Sequence, residues 1–414
     1  MSLLKPFRAV RPLPEYAYHV AALPYDVMNS KEAAQMVKNK PYSFLHVDRA
    51  EIDMPDISDA YSPAVYQKAR ANLHALVANG VCAKDDKPMF YIYRLIMNGR
   101  SQTGVVGCVS VDEYIDNTIK KHEYTVAEKE KDRINHVDVC DANTGPIYLT
   151  HRPDPRLSAL LKNVTESKKP VYDFFSDNGV ENIVWLADSD ETIAEIIDIF
   201  KGIDSLYIAD GHHRAASAAH VGVDRRRSCP DYDGSEEFNY FLAVLFACDE
   251  LKILPYNRVV KDTAGLSKEE FLKRVSVNFD IEEIGKDAFE PKELHTFGML
   301  LGDTRYRLKA KEGTFSENDA VESLDVSIIH NNLLAPVLGI VDPRADKRIE
   351  FIGGIRGVGE LERRVKEDMA LAFSMYPTSV DQLMKIADNG KIMPPKSTWF
   401  EPKLLSGLFI HELK

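Results

Sequence analysis

An acid, two imidazoles and a guanidinium stand side by side in the segment 210–214, Asp-Gly-His-His-Arg. The apolar residues 206–209 before it are typical of a short buried strand, and the small residues 215–219 after it are typical of a helix packed on a sheet. The segment therefore falls at a helix N-terminus, where backbone N–H groups and the helix dipole favour an anion. We predict a phosphate site made by Gly211, His212, His213 and Arg214. The alternative is a helix cap at Asp210 followed by solvated histidines.

A second polar cluster lies about ninety residues earlier, shortly after a strand pattern. Its His122 and Glu123 fall in the kind of loop in which α/β proteins place ligand groups. Glu123 is the candidate general base for transfer to an alcohol, and His122 and Asp210 are the other catalytic candidates. Lys129 and Arg133, four residues apart, share one helix face and suit acidic groups of a ligand. A charged helix surface with i,i+4 pairs explains those two residues equally well.

Two segments near the ends of the chain add weaker candidates. Asp26, in Pro24-Tyr25-Asp26, is either an orienting or metal-binding carboxylate or a helix cap. Lys396 and Thr398 stand in an extended, proline-rich segment from which they can reach an anion, and an exposed tail is the alternative.

The chain as a whole resembles the DUF1015 family, whose members often carry the label SpoOJ/ParA/ParB/RepB. The segments that carry the resemblance are 5–9, 24–27, 39–47, 121–125, 131–133, 210–214 and 393–398. The Asp-Gly-His-His-Arg segment is also similar to the nucleotide motif of the ParB/sulfiredoxin-like fold, which serves ParB switches, sulfiredoxin and kinases of free serine. The resemblance implies ADP, ATP or CTP with Mg²⁺, held at Gly211 to Arg214.

Composition limits the partners. The formal net charge of −12, from 64 acidic and 52 basic residues, argues against a broad nucleic-acid surface. The basic run 225–227 is interpreted as a solvated loop, with an electrostatic funnel as the alternative. The five cysteines are scattered without zinc or redox spacing, and no segment reaches the roughly twenty apolar residues of a membrane span. We expect a cytoplasmic protein that binds a nucleotide and a small molecule, and that can form a homo-oligomer.

The pattern of elements predicts an α/β or mixed α+β fold with a mixed sheet. We expect a ParB/sulfiredoxin-like core in 1–250, a smaller α+β lobe in 251–320, and a helical segment with a Pro-rich tail packing back on the core in 321–414. Strands over 89–97 and 103–111 form a hairpin, because Asn98-Gly99 supplies positive φ angles. A helix is expected from Ser30, with the Ser30 hydroxyl at its N-terminus.

Three functions are compatible with these residues. The first is a nucleotide-dependent phosphotransferase that acts on a small hydroxylated metabolite such as serine. The second is a ParB-like nucleotide-binding regulator without turnover. The third is a metal-dependent hydrolase that uses both polar clusters, although adjacent histidines on a strand–helix turn diverge and seldom share one ion.

Overall fold

The computed structural model describes residues 3–285 and 290–414, which form two compact units. The first unit comprises residues 1–251 and 402–414, and the second comprises residues 252–401. The C-terminal segment belongs to the first unit because its backbone pairs there: Val10 and Ile410 exchange hydrogen bonds, and Ala22 and Ser406 do the same.

The strands of residues 3–251 include the long apolar segments that build the main sheet. They are β1 (Leu4–Lys5), β2 (Val10–Pro12), β3 (Cys82–Lys84), β4 (Phe90–Met97), β5 (Arg100–Ser110), β6 (Ile119–Lys120), β7 (Ala142–Asn143), β8 (Ile147–His151), β9 (Tyr172–Phe175), β10 (Glu181–Ala187), β11 (Leu206–Asp210) and β12 (Tyr240–Ala247).

Within the described residues, nine of these strands form one mixed sheet in the order β6-β11-β8-β12-β5-β4-β10-β9, with β1 on β5. The pairs β6–β11 and β8–β12 are parallel, and the others are antiparallel. The β4–β5 hairpin confirms the predicted Asn98-Gly99 turn, whose residues have φ angles of 53° and 75°. Strand β12 is continuously apolar because it lies inside the sheet with both neighbours paired.

The helices of the first unit carry several site residues. They are α1 (Ala17–Val20), α2 (Ser30–Met36), α3 (Leu45–Asp48), α4 (Pro63–Ala78), α5 (Val111–Ile115), α6 (Ala127–Cys140), α7 (Pro155–Ser167), α8 (Asp190–Lys201) and α9 (His212–Ser228). Helices α6 and α9 pack side by side, and the Ser217 hydroxyl donates to the Glu130 carbonyl between them. Close approach on α9 requires small residues: a Cβ on Gly222 would lie 2.6 Å from the Phe238 carbonyl oxygen.

The second unit is built on an antiparallel sheet. Its strands are β13 (Lys252–Leu254), β14 (Tyr256–Val260), β15 (Phe279–Glu283), β16 (Thr296–Leu301), β17 (Thr304–Ala310), β18 (Ile349–Gly353), β19 (Leu371–Ser374) and β20 (Trp399–Glu401). Six of the described strands pair in the order β15-β17-β16-β19-β14-β18. Its helices are α10 (Lys268–Val275), α11 (Asp325–Ile329) with a π-helical turn at His330–Leu334, α12 (Gly357–Glu367) and α13 (Val380–Asp388). A last strand, β21 (His411–Glu412), pairs with β7 in the first unit.

The mixed α/β fold class is as expected, and the similarity of the core to the ParB/sulfiredoxin-like fold stays a prediction. The second unit does not end at the expected boundary between residues 320 and 321. Strands β18 and β19 lie beyond that boundary, and both pair with β14 before it, so sheet hydrogen bonds cross it. The segment 321–401 is therefore part of the second unit, and only residues 402–414 return to the first.

Two local expectations need correction. Helix α2 is capped by Asn29 in a capping box with Glu32, while the Ser30 hydroxyl donates to Glu51. The basic run 225–227 is the last turn of α9 and not a loop, because the helix continues to Ser228. Arg225 pairs there with Asp138 and Asp141, and Arg226 pairs with Asp112. In the described part of the chain, no helix is long and apolar enough to cross a bilayer.

Candidate functional site

The two polar clusters meet because the strands before them are parallel neighbours. Leu206 of β11 pairs with Ile119 of β6, and Tyr207 pairs with Lys120. Parallel neighbours end at the same edge of a sheet, so the loop after β6 and the turn after β11 lie side by side. His122 and Glu123 therefore reach the N-terminus of α9.

The turn between β11 and α9 depends on Gly211. Its φ of 96° and ψ of 31° lie in the left-handed region that glycine adopts without strain. The Asp210 carboxylate accepts the Gly211 N–H at 3.0 Å, and its other oxygen lies 3.0 Å from Lys403 Nζ. Burial alone would raise the pKa of Asp210, but Lys403 and Arg214 outweigh it and lower that pKa. Asp210 is thus an ion-paired carboxylate at the turn, and it does not cap the first turn of the helix.

Two buried, neutral histidines lie in contact at this edge. The rings of His122 and His212 are 4.4 Å apart and nearly perpendicular. Burial lowers the pKa of His122 to about 4 and that of His212 well below its usual value. The His122 backbone N–H donates to His212 Nε2 at 3.4 Å, which assigns the proton of the neutral ring to Nδ1. That Nδ1 lies 3.8 Å from a carboxylate oxygen of Glu123, whose side chain is 40% exposed.

The neighbouring histidine turns away from this pair. His213 Nε2 accepts the Val126 N–H at 3.0 Å, whereas His212 faces His122. The two adjacent imidazoles therefore diverge, as expected for a strand–helix turn. Within residues 3–285 and 290–414, His122 Nδ1 is buried without a hydrogen-bond partner. An orphaned nitrogen of this kind is a functional candidate, because buried polar groups are normally satisfied.

Arg214 lies between the turn and a small cavity. Its Nη1 donates to the Pro146 carbonyl, and a Cβ on Gly211 would come within 3.1 Å of its Nη2. The guanidinium therefore packs flat on the glycine turn. It also lines a cavity of about 390 Å³, open solvent at its mouth included, together with Tyr25, Asp48 and Arg133.

Arg133 is the second cation of this cavity and is almost completely buried. Its guanidinium lies 4.1 Å over the Tyr25 ring and bonds Asp132 at 2.8 Å. Burial would lower the pKa of Arg133, but Tyr25 and Asp132 raise it, so the charge is retained. Asp132 also accepts the Tyr66 hydroxyl at 3.0 Å. The cavity wall is therefore cationic and held in a fixed geometry.

A larger cavity of about 870 Å³, including its open mouth, shares Tyr25, Asp48, Arg133 and His136 with the smaller one. Asp26 and Lys129 line it, so the structure brings together two candidates from distant segments with Arg133. Asp26 lies in a 3-10 turn, Tyr25–Val27, and does not cap α2, whose cap is Asn29.

The remaining two candidates lie in the second unit. Lys396 is exposed, has a φ of 58°, and places its ammonium 5.3 Å from the centre of the Tyr256 ring. Thr398 is partly buried beside Ser397, whose hydroxyl donates to the Pro394 carbonyl. These contacts are all internal to the second unit.

No described group of three or more His, Cys, Asp or Glu side chains is arranged to hold a metal ion. Mg²⁺ in nucleotide sites usually takes one or two carboxylates and the phosphates themselves, so it does not need such a cage. Asp26, Asp48, Glu51 and Asp132 all line the larger cavity and supply carboxylates of the type that Mg²⁺ uses.

Sequence analysis missed several residues of this region. Lys403 reaches Asp210 across 193 positions of chain, and nothing near it in the sequence marks it. Asp48 accepts the Thr144 hydroxyl at 2.9 Å. Arg49 donates to the Tyr25 carbonyl and thereby fixes the loop that carries Tyr25 and Asp26. Tyr25 lies in the segment 24–27 that carries part of the family resemblance, but only Asp26 of that segment was a predicted site residue.

The fold and site define a class: a mixed α/β protein with a cationic cavity beside a strand–glycine–helix turn. The family model "Protein of unknown function (DUF1015)" matches residues 4–327, and the chain belongs to this family. No curated protein matches the sequence.

Three solved structures are similar at a low level. A free serine kinase variant in complex with ADP is 14% identical, with 73% of this chain and 88% of that chain covered and a TM-score of 0.36. A conserved hypothetical protein from Pyrococcus furiosus is 15% identical, with 74% and 94% covered and a TM-score of 0.37. SbnI from Staphylococcus aureus, with a C-terminal truncation, is 12% identical, with 73% and 85% covered and a TM-score of 0.32. Likenesses at this level carry no argument for the function of this chain.

Proposed function

We propose that the protein is a nucleotide-dependent phosphotransferase that acts on a small hydroxylated metabolite. The observation that carries the proposal is the position of Arg214. Its guanidinium lies on the Gly211 turn, at the N-terminus of a 17-residue helix, and lines a cavity with the buried Arg133. Two fixed guanidinium groups beside a helix N-terminus are suited to phosphate oxygens.

Phosphoryl transfer needs mainly alignment and charge neutralisation, which these residues supply. Arg214 and Arg133 neutralise the phosphates, and Lys403 holds Asp210 at the base of the turn. Glu123 accepts the proton of the substrate hydroxyl. The hydroxyl oxygen attacks the terminal phosphorus of the nucleotide, and the bond between that phosphorus and the rest of the nucleotide breaks. His212, with Nδ1 towards Glu123, orients that carboxylate. His122 and His213 hold the loop and helix together through the backbone bonds described above.

The substrate class follows from the chemistry of these groups. A carboxylate base and phosphate-binding arginines suit an alcohol acceptor, and serine or a related hydroxy amino acid is the acceptor that we propose first. Asp26 is the proposed carboxylate that would hold Mg²⁺ bound with ADP, ATP or CTP, and the ion would supply positive charge to neutralise the phosphates. Lys129 remains a proposed phosphate contact, and the phosphate roles of Lys396 and Thr398 stay predictions.

The test is isothermal titration of ADP, ATP and CTP with Mg²⁺ against wild type, Arg214→Ala and Glu123→Gln. Arg214→Ala should weaken nucleotide binding about 30-fold, because it removes a charge-assisted phosphate contact. Glu123→Gln should bind normally but reduce phosphorylation of hydroxylated metabolites about 10³-fold. Arg227→Ala is the matched control on the same helix, since Arg227 is 75% exposed and pairs with Asp224.

The outcomes separate the possible functions. Nucleotide binding without phosphorylation of any metabolite would indicate that the protein is a nucleotide-binding regulator and not a phosphotransferase. Absence of binding by all three nucleotides would contradict the proposal altogether. Equal loss of binding in Arg214→Ala and Glu123→Gln would contradict the division of roles between them.

A further inference from the structure

The larger cavity has two walls of different chemistry. One wall is apolar and is formed by Val47, Ala50, Val65 and Ala69, all of which are buried core residues. These side chains come from α3, the turn after it and one face of α4. Their positions are fixed because they also belong to the hydrophobic core of this part of the first unit.

A second part of the lining, the polar wall, is organised by ion pairs. Arg133 is held by Asp132, and Arg49 lies 3.3 Å from Glu51 while donating to the Tyr25 carbonyl. Lys129 and Asp26 also line the cavity and are exposed. The lining therefore combines hydrocarbon with charged groups.

An exposed aromatic ring stands at the mouth. Tyr61 lines the cavity and is 51% exposed, whereas the other two tyrosines of the lining are engaged with Arg133 and Asp132. The Tyr61 backbone is fixed, because its N–H donates to Asp59 at 2.8 Å two residues before α4 begins. A large exposed ring on a fixed backbone provides a surface on which a flat ligand can stack.

We propose that the larger cavity binds the nucleoside of the phosphoryl donor, with its base stacked on Tyr61 beside the apolar wall. This inference rests on the proposed function and adds the location of the base. The shared lining residues Tyr25 and Arg133 join this cavity to the one that Arg214 lines, so the phosphates extend towards Arg214. The sugar hydroxyls then face the carboxylates of the polar wall.

The chemistry of the lining favours the nucleoside over the acceptor as occupant. A three-carbon hydroxy amino acid carries no apolar group for the apolar wall. A nucleoside carries a flat base for the Tyr61 ring and the apolar wall, and sugar hydroxyls for the polar wall.

The experiment is isothermal titration of ADP, ATP, CTP and inorganic pyrophosphate against wild type, Tyr61→Ala and Tyr61→Phe. Tyr61→Ala should weaken binding of the preferred nucleotide about ten-fold, the usual size of one base–aromatic stack, and leave pyrophosphate binding unchanged. Tyr61→Phe should retain the wild-type affinity because it keeps the ring. Tyr232→Ala is the matched control, since Tyr232 is 40% exposed and does not line the cavity.

The other outcomes distinguish this inference from the proposed function. Unchanged nucleotide affinity in Tyr61→Ala, with binding still lost in Arg214→Ala, would overturn the location of the base and leave the phosphotransferase in place. Equal weakening of nucleotide and pyrophosphate would also overturn it, because Tyr61 would then act on the phosphates or the fold. Absence of all binding in the wild type would overturn both proposals.

Discussion

Each unit holds an aspartate beside a cationic side chain, and the pKa values of the two aspartates shift in opposite directions. In the first unit Asp210 lies 3.0 Å from Lys403, and its pKa is lowered. In the second unit Asp325 is 5% exposed, and burial raises its pKa to about 7 in spite of a bond from the His295 N–H and the charge of Arg258.

The difference lies in the partners. Arg258 is buried and donates to the carbonyl oxygens of Tyr256 and Lys396, and burial lowers its pKa to about 10. In the described residues, Asp325 Oδ2 has no hydrogen-bond partner. A close ion pair keeps both of its groups charged, whereas burial without such a pair pushes both groups towards neutrality. Charge state therefore favours the first unit as the site of chemistry.

The largest stability effect is expected from Asp325→Asn. The raised pKa of Asp325 means that its contribution to stability is present below about pH 4 and is lost as the pH rises through 7. Asparagine is neutral at every pH and keeps the bond from His295, so the variant should be more stable than wild type by up to about 4 kcal/mol at pH 9. The wild type and Asp325→Asn should be equally stable at pH 4.

Urea unfolding of both proteins at pH 4, 7 and 9 measures this difference in stability, with exposed Glu317→Gln as control. A variant less stable at pH 9 would show that the ionised carboxylate is needed.

A smaller effect with the opposite dependence on pH is expected at His122. Because burial lowers its pKa to about 4, the unfolded chain takes up a proton first as the pH falls below about 6.5. The wild type should therefore lose about 3 kcal/mol between pH 6.5 and 4 that His122→Gln does not lose. Unfolding curves across this range test it, with His220→Gln, at an exposed histidine of α9, as control. Parallel pH profiles for the wild type and His122→Gln would contradict the buried, neutral assignment.

The smallest effect compares two glycines with positive φ at helix starts. Gly211 has a φ of 96° and Gly357 has a φ of 67°, so alanine at either position should cost about 1 kcal/mol of stability. A Cβ at 211 also meets the Arg214 guanidinium, while a Cβ at 357 meets nothing within 4 Å. Gly211→Ala alone should therefore weaken nucleotide binding, as measured by titration. Equal nucleotide affinity in the two variants would show that Arg214 is not part of the phosphate site.

Much of the local structure could be predicted from the sequence. The alternation and length of apolar runs predicted the β4–β5 hairpin, the continuous strand β12 and the strand–turn–helix at Gly211, because each depends on neighbours within about fifteen residues. The predicted end of α9 was wrong because it depends on residues that are distant in the sequence. A run of arginines is typical of a solvated loop, but Asp138, Asp141 and Asp112 pair with arginines of this run on the folded helix.

The sequence by itself determined the residue types at the β11–α9 turn and the membership of the family. Only the tertiary structure decided that β6 lies beside β11, that Lys403 pairs with Asp210, and that Tyr25, Lys129 and Arg133 line one cavity. Strand order and ion pairs across 193 residues depend on which distant surfaces bury each other, and no local pattern encodes that choice. The boundary at 320/321 failed for the same reason, since β14 pairs with strands about a hundred residues later.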